Sequence, residues 1–488
     1  MMGPLSWIRR QLDTRMGYHH LSNSTDQFQK ADDTDPPELH NDADISELQS
    51  TPKKRLAIGS HFKKLVVLLP SFLHPSDPNA SPRNLHKTAW LDGLRGIAAF
   101  FVVWHHISLI WFSWDIHNGW TSFSDPFIRF PIIRLTISGL PNVMVFFVIS
   151  GYALSYKPLS LLRQDRLLDV YHALASSAFR RHPRLFLPAV MLCLPCIFIA
   201  YLGLYGDGER DGMGWVYNNA LWTLPIEFRS SLVVFGLLLA LSRVGNGVRV
   251  FIELGVALYC LCFIHWAEFL FLGGMLLADL HFHFSEHREC DGSRGPEAKI
   301  RWRCSRVIVS AVHWCWRWVM SCHILKVLAP LASFLGALYL LGMPKLERGG
   351  AETPGFEALA SLIPERWRAA GSPDHFWPSL AAVWLVLSIE CAPFLQRVFT
   401  CRFAQYLGRI SYSLYLVHLV ILHSFGFRMG KFLVGLTGSD TELRYFTGIL
   451  GTSVAFWFVT IWVADLGWRF VDAKVVRFSS WTYNWLCT

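Results

Sequence analysis

Charge is the first thing this sequence is short of. Only 17% of its 488 residues are Asp, Glu, Lys or Arg, where a soluble domain carries about 25%, while 52% are hydrophobic and mean hydropathy is +0.31. That deficit excludes a disordered chain, argues against an ordinary cytosolic enzyme and leaves a polytopic membrane protein. A disulfide framework is missing too. The 11 cysteines are odd in number, run from Cys193 to Cys487 and several fall in apolar runs, so most read as small buried hydrophobes. Residues 1–20 lack the uninterrupted apolar stretch and small-residue cleavage site of a signal peptide, so insertion relies on the first true span. There is no P-loop, no GxGxxG after a strand and no HExxH, which leaves ATP, NAD and zinc-hydrolase chemistry unsupported. No internal repeat is evident.

What is present is a polar start followed by apolar runs. Residues 1–86 hold an acidic stretch from Asp26 to Glu47 and Pro-rich breaks, and read as a largely disordered cytosolic tail. Its one apolar patch, Leu65 to Leu69, is too short to cross a bilayer. From Leu91 onward ten stretches can form membrane-spanning helices: 89–112, 140–157, 185–206, 227–243, 248–264, 266–283, 323–343, 377–396, 411–428 and 446–470. The expected fold is therefore an all-α, polytopic transmembrane helix bundle of about ten spans over 87–475, with a short C-terminal tail at 476–488. No loop is large enough for a soluble catalytic domain, so any chemistry sits in the bundle.

Loop charges orient it. Loops 157–184, 243–249, 283–322 and 397–410 hold 18 Lys+Arg and 6 Asp+Glu, while 113–139, 206–226, 344–376 and 428–446 hold 10 and 12. The positive-inside rule then places both termini in the cytosol. The segment Ile300 to Cys322 is apolar enough for an eleventh span, but its alternating Arg and Trp residues suit a helix lying in the interface.

Ionisable residues inside a membrane are costly and mark functional positions. LDGLRGIAAFFVVWHH in the first span carries Arg95, His105 and His106. Eleven residues are nearly three helical turns, so Arg95 and His106 share a face about 16 Å apart and His105 points about 100° away. The bland alternative has Arg95 snorkelling to headgroups and His106 bonding between helices.

These residues also carry a resemblance. The chain resembles the acyltransferase-3 family of integral membrane acyltransferases, fungal type, from about Thr88 to Trp481. Five motifs in order carry it: Arg95 and His106 separated by ten residues; FFVISGYALS with Ser150, Gly151 and Tyr152; FRRHPRLFLP with Arg181 and Arg184; LWTLPIEF with Trp222, Leu224 and Glu227; and GRISYSLYLVH from Gly408 to His418. Many members close the last span with an acidic residue and Pro, where this chain reads WRFVDAKVVRF; Asp472 receives no role.

The resemblance implies transfer of an acyl group, commonly acetyl, from CoA to a hydroxyl of a small natural product, lipid or sugar. Acyl-CoA is the co-substrate, no cofactor is tightly bound, and the partners are a hydroxylated acceptor and the bilayer, with no nucleic acid. Chemistry agrees with these roles. His106 suits a general base because a neutral imidazole takes a proton readily, with Arg95 and Glu227 as its catalytic companions. Arg181, Arg184 and Ser150 form the donor-binding set, the guanidiniums reaching phosphates at the cytosolic mouth of the third span. Glu227 alone would read as an acidic residue favouring a helix start. Glu390 is an intramembrane carboxylate without a role, and His418 shares a face with Tyr415, where packing is favoured. HFHFSEHREC has metal-like spacing from His281 to Cys290 but no second ligand pair, so no metal is expected. The rival reading is a proton-coupled transporter using Arg95, His106, Glu227 and Glu390 as a relay.

The loop charges predict a labelling pattern. Single cysteines at 207–214 and 344–376 react with impermeant reagents from the non-cytosolic side, while the N-terminal tail, 284–299 and the C-terminus react only from the cytosol. A C-terminus labelled from outside would mean an odd span count and make Ile300 to Cys322 a crossing.

Overall fold

The computed structural model describes residues 70–71, 85–112, 114–203, 219–291 and 325–487. The described residues are helical, with no strand among them, as a chain that must satisfy its own backbone in lipid requires. The principal helices are α1 (Ala89–Trp111), α2 (Gly139–Arg163), α3 (Leu167–Tyr201), α4 (Thr223–Ala240), α5 (Asn246–Cys262), α6 (Trp266–Asp291) and α7 (Leu325–Leu341). Two short helices follow, α8 (Glu357–Ser361) and α9 (Glu365–Ala369), then α10 (Phe376–Glu390), α11 (Pro393–Phe399), α12 (Arg402–Ile421), α13 (Phe427–Thr437), α14 (Glu442–Gly467) and α15 (Ala473–Cys487). Single π-turns join α12 to α13 and α14 to α15.

Every one of the ten expected stretches is helical over most of its described part. Among the described residues, five helices are able to cross a membrane by length and apolarity alone: α1, α2, α4, the continuous Arg402–Thr437 and Glu442–Cys487. A pair bent by 106° at 391–392 would make a sixth. Of the remaining helices, α5 and α7 fall short with 17 residues each.

One expectation needs correcting. Residues 157–184 are not a loop: α2 continues to Arg163 and α3 begins at Leu167, leaving a three-residue turn in which Asp165 has φ +56°. Nothing between Gln164 and His182 is Gly or Pro, so the polar stretch extends the helix instead of breaking it. Arg181 and Arg184 consequently stand well inside α3, about 21 and 26 Å along its axis from Leu167. Ile300 to Cys322 and nearly all of the N-terminal tail lie outside the described residues. Of the tail, Pro70 is buried and Ser71 donates from N and Oγ to the Asp465 carboxylate of α14, at 3.1 and 2.6 Å.

Two apolar cores hold the bundle, one around α2, α6 and α10, the other around α1, α12 and α14. Each contains a helix pair in near backbone contact. A Cβ on Gly151 would lie 2.0 Å from the Phe271 carbonyl oxygen, and one on Gly274 would lie 2.1 Å from that of Val148, so α2 and α6 meet through residues that lack side chains. A Cβ on Gly96 of α1 would lie 2.3 Å from the Gly408 nitrogen of α12.

Where the end of α2 and the start of α5 meet the middle of α6 sits a knot of buried charge. Arg163 reaches Asp279 at 2.5 Å, and Arg249 grips both Asp279 oxygens at 2.7 and 2.8 Å. Glu253 is fully buried, 3.8 Å from Arg249, and its oxygens find no hydrogen-bond partner among the described residues. Asp279→Ala removes the carboxylate that Arg163 and Arg249 share, at a site where Arg249 and Asp279 are 1% and 0% exposed. The expected cost is about 3–5 kcal/mol, read as a lowered apparent Tm of the purified protein. An unchanged Tm would mean that these charges are solvated.

Candidate active site

α12 organises the site because its face Gly408, Ser411, Tyr415 and His418 repeats at i, i+3, i+7 and i+10 and meets polar groups of α1 and α4 in turn. Nearest its start, Arg95 of α1 donates from Nε to Ser411 Oγ at 3.0 Å and from Nη2 to the Gly408 carbonyl at 2.9 Å, with Asp92 3.3 Å away. Arg95 is thus held by three partners while its side chain stays 38% exposed.

One turn further, Tyr412 donates to the Leu185 carbonyl of α3 and lies within the electrostatic reach of Glu227, Asp472 and Arg181. Asp472 in turn feels Arg184 and Arg95. Arg181 Nη2 bonds Glu227 Oε1 at 2.6 Å, and Arg181 Nε donates to Ser231 Oγ at 3.0 Å. This charge-assisted contact joins α3 to α4 and fixes the Glu227 carboxylate. Glu227 lies beyond the first turn of α4, so it is not a helix-start acid. Ser150 Oγ stands 3.5 Å from the same carboxylate oxygen, a long and weak contact. Arg180 turns the other way, to Ser480 of α15 at 3.1 Å.

Further along, Tyr415 OH and Thr223 Oγ1 are 2.9 Å apart, tying α12 to α4. Then come the histidines. His105 Nδ1 donates to the Ile137 carbonyl at 2.5 Å, packing its ring where only Gly139 leaves room. His106 faces α12 instead, its ring centroid 5.2 Å from that of His418. His418 is fully buried, with Nδ1 bonded to the carbonyls of Tyr415 and Leu414 at 2.8 and 3.2 Å.

The structure therefore gathers Arg95, Arg181, Arg184, Glu227, Ser150 and His106 around one helix, with charged groups toward the start of α12 and imidazoles seven to ten residues on. Chemically, such an arrangement can hold an anionic or polarised group at one end and move a proton at the other. Sequence reasoning placed Tyr415 and His418 on one face but gave it to packing, and missed that Ser411 continues that face to Arg95; the signal was the i, i+3, i+7 spacing. It also treated Glu390 and His281 separately, whereas His281 Nδ1 and Glu390 Oε1 are 2.5 Å apart and Tyr152 OH donates to the other oxygen at 3.3 Å. His281 is thus engaged by a carboxylate on another helix, and the side chains of His287 and Cys290 lie outside the described set.

Three fungal proteins are similar to this chain. The "O-acetyltransferase PaAT-1" of Phomopsis amygdali is 38% identical, the match covering 86% of this chain and 88% of that protein. The "Acyltransferase R4" of a Phoma species is 23% identical over 78% of this chain and 92% of its own length. The "Acyltransferase clz18" of Cochliobolus lunatus is 22% identical over 83% and 96%. No solved structure matches significantly. The acyltransferase-3 family model, described as an acyltransferase domain, matches residues 88–468, the stretch that contains Arg95, His106, Ser150, Arg181, Arg184, Glu227 and His418; this chain belongs to the acyltransferase-3 family and is an acyltransferase.

Proposed function

We propose that the protein is a membrane-embedded O-acyltransferase that moves an acyl group, acetyl in the first instance, from acyl-CoA to a hydroxyl of a small natural product, lipid or sugar. The observation that carries this reading is the convergence on α12 of Arg95, the Arg181–Glu227 pair and His106. The 38% identity to a protein named as an O-acetyltransferase favours acetyl as the group transferred.

The chemistry balances without a cofactor. His106 accepts the hydroxyl proton, the oxygen attacks the thioester carbonyl, the C–S bond breaks, and the imidazolium returns the proton to the departing CoA thiolate. Arg184 and Arg95 serve the phosphate-bearing donor, and Arg181 acts both as a cation and as the anchor of Glu227. Glu227 lies where it can orient the acceptor hydroxyl.

The fold supports an arrangement with both termini in the cytosol. α1 and α12 run in parallel, since Asp92 meets Gly408, Arg95 meets Ser411, His106 meets His418 and Trp111 meets Phe427 in rising order. Parallel spans demand an odd number of crossings between them. The seven intervening stretches meet that demand, and an added crossing at Ile300 to Cys322 breaks it. Segments assigned to one side also touch: Gly119 N donates to Arg348 O at 2.8 Å across two non-cytosolic loops, while Arg163, Arg249 and Asp279 join at the opposite end. In this reading the donor enters from the cytosol, at the Arg95 end of α12.

Two experiments test the reading, using the unacylated acceptor that accumulates in a deletion strain, identified by the missing acyl mass increment. His106→Ala should lower turnover by about 10²–10⁴-fold with insertion intact, and His105→Ala should be milder because that ring is committed to Ile137. Near-wild-type turnover by His106→Ala would remove the base. Arg184→Gln and Arg181→Gln should raise KM for acyl-CoA by roughly tenfold or more and KM for the acceptor less, with Lys restoring only part. An effect confined to the acceptor would overturn the donor assignment.

A further inference from the structure

His418 carries more than packing. Both carbonyls bonded to its Nδ1 can only accept, so Nδ1 holds the proton and Nε2 presents a lone pair. That Nε2 is buried in a residue 0% exposed and has no hydrogen-bond partner among the described residues. A buried acceptor without a donor is unusual in a native structure and calls for an explanation. The ring beside it is His106, at a centroid separation of 5.2 Å and an interplanar angle of 43°. This is about the distance at which two imidazoles sit when joined edge to edge by one N–H···N bond. No such bond is formed here. A turn of His106 about its broad terminal torsion brings an N–H onto the waiting lone pair, and catalytic hydrogen bonds commonly tighten only when substrates bind.

The other ionisable groups acting on His106 are His105, on its own helix, and His423, on the π-turn after α12. His105 is already committed through Nδ1 to Ile137. His105 holds the same tautomer, with its ring 5.3 Å from that of His106; what sets His418 apart is that its accepting nitrogen is buried with no hydrogen-bond partner among the described residues.

We propose that His418 is a positioning residue for acyl transfer: its Nε2 accepts the N–H of His106, fixing which His106 nitrogen keeps a lone pair for the acceptor hydroxyl and steadying the imidazolium that forms. It does for His106 what a carboxylate does for the histidine of a hydrolase triad, without placing another formal charge in the membrane. This inference rests on His106 being the base.

The test uses full-length protein purified in detergent, with acetyl-CoA and the acceptor isolated from the deletion strain. His418→Ala should lower kcat by between about 10- and 10²-fold, less than the full 10²–10⁴ of general-base assistance, with KM for acetyl-CoA unmoved. His418→Gln, whose amide oxygen can accept an N–H, should recover a measurable part of kcat, which restored packing alone would not give. The double variant His106→Ala/His418→Ala should be no slower than His106→Ala, because His418 acts only through His106. If His418→Ala does not fold, His418→Gln and its double with His106→Ala carry the same comparison. Wild-type kcat in His418→Ala, or a double variant slower than His106→Ala by the full His418 factor, overturns the proposal. So does a loss in His418→Ala as deep as that of His106→Ala with no rescue by Gln, since His418 would then itself be the base. Failure of the underlying reading looks different: His106→Ala alone would keep its turnover.

Discussion

The site depends on how closely α1 and α12 can approach. Gly96 and Gly408 let the two backbones touch, since a Cβ on Gly408 would stand 2.3 Å from the Asp92 carbonyl oxygen. In a bilayer there is little hydrophobic drive between helices, so close van der Waals contact and interhelical hydrogen bonds supply the attraction. Arg95 provides those bonds by reaching Ser411 and the Gly408 carbonyl just beside the contact. With that end fixed and the helices parallel, His106 is carried to the level of His418 by helical rise alone.

Charge within the bundle obeys the same logic. Arg181 has Glu227, Arg163 and Arg249 have Asp279, and Arg469 has Asp465 at 2.8 Å. Most of these pairs join different helices, so each both neutralises a cost and sets a helix position. The contrast lies in their exposure. The Asp279 knot is sealed, with side chains at most 4% exposed, whereas Arg181 and Glu227 keep 16% and 19%. A sealed pair can only hold structure; a pair in contact with open space can also meet a substrate.

Helix ends show where a reading of apolar runs falls short. A window of hydrophobicity locates the part of a helix that sits in lipid and is blind to its polar extension. That is why the third helix was expected from 185 and begins at Leu167. The displaced boundary matters for function, because it moves Arg181 and Arg184 from a loop at the membrane surface into a helix facing Glu227, Tyr412 and Asp472.

The sequence alone determined the all-helical membrane character, from low charge and long apolar runs, and the family, from five motifs in order. It singled out Arg95 and His106 as one helical face, because that relation is local and needs only 3.6 residues per turn. It could not determine that Arg181 grips Glu227, that His281 meets Glu390, or that His418 presents a bare nitrogen to His106. Those contacts join residues 46, 109 and 312 positions apart, and no local periodicity encodes them. The tertiary structure decides them, because a charged or polar group inside a membrane must find its partner on whichever helix packing brings alongside.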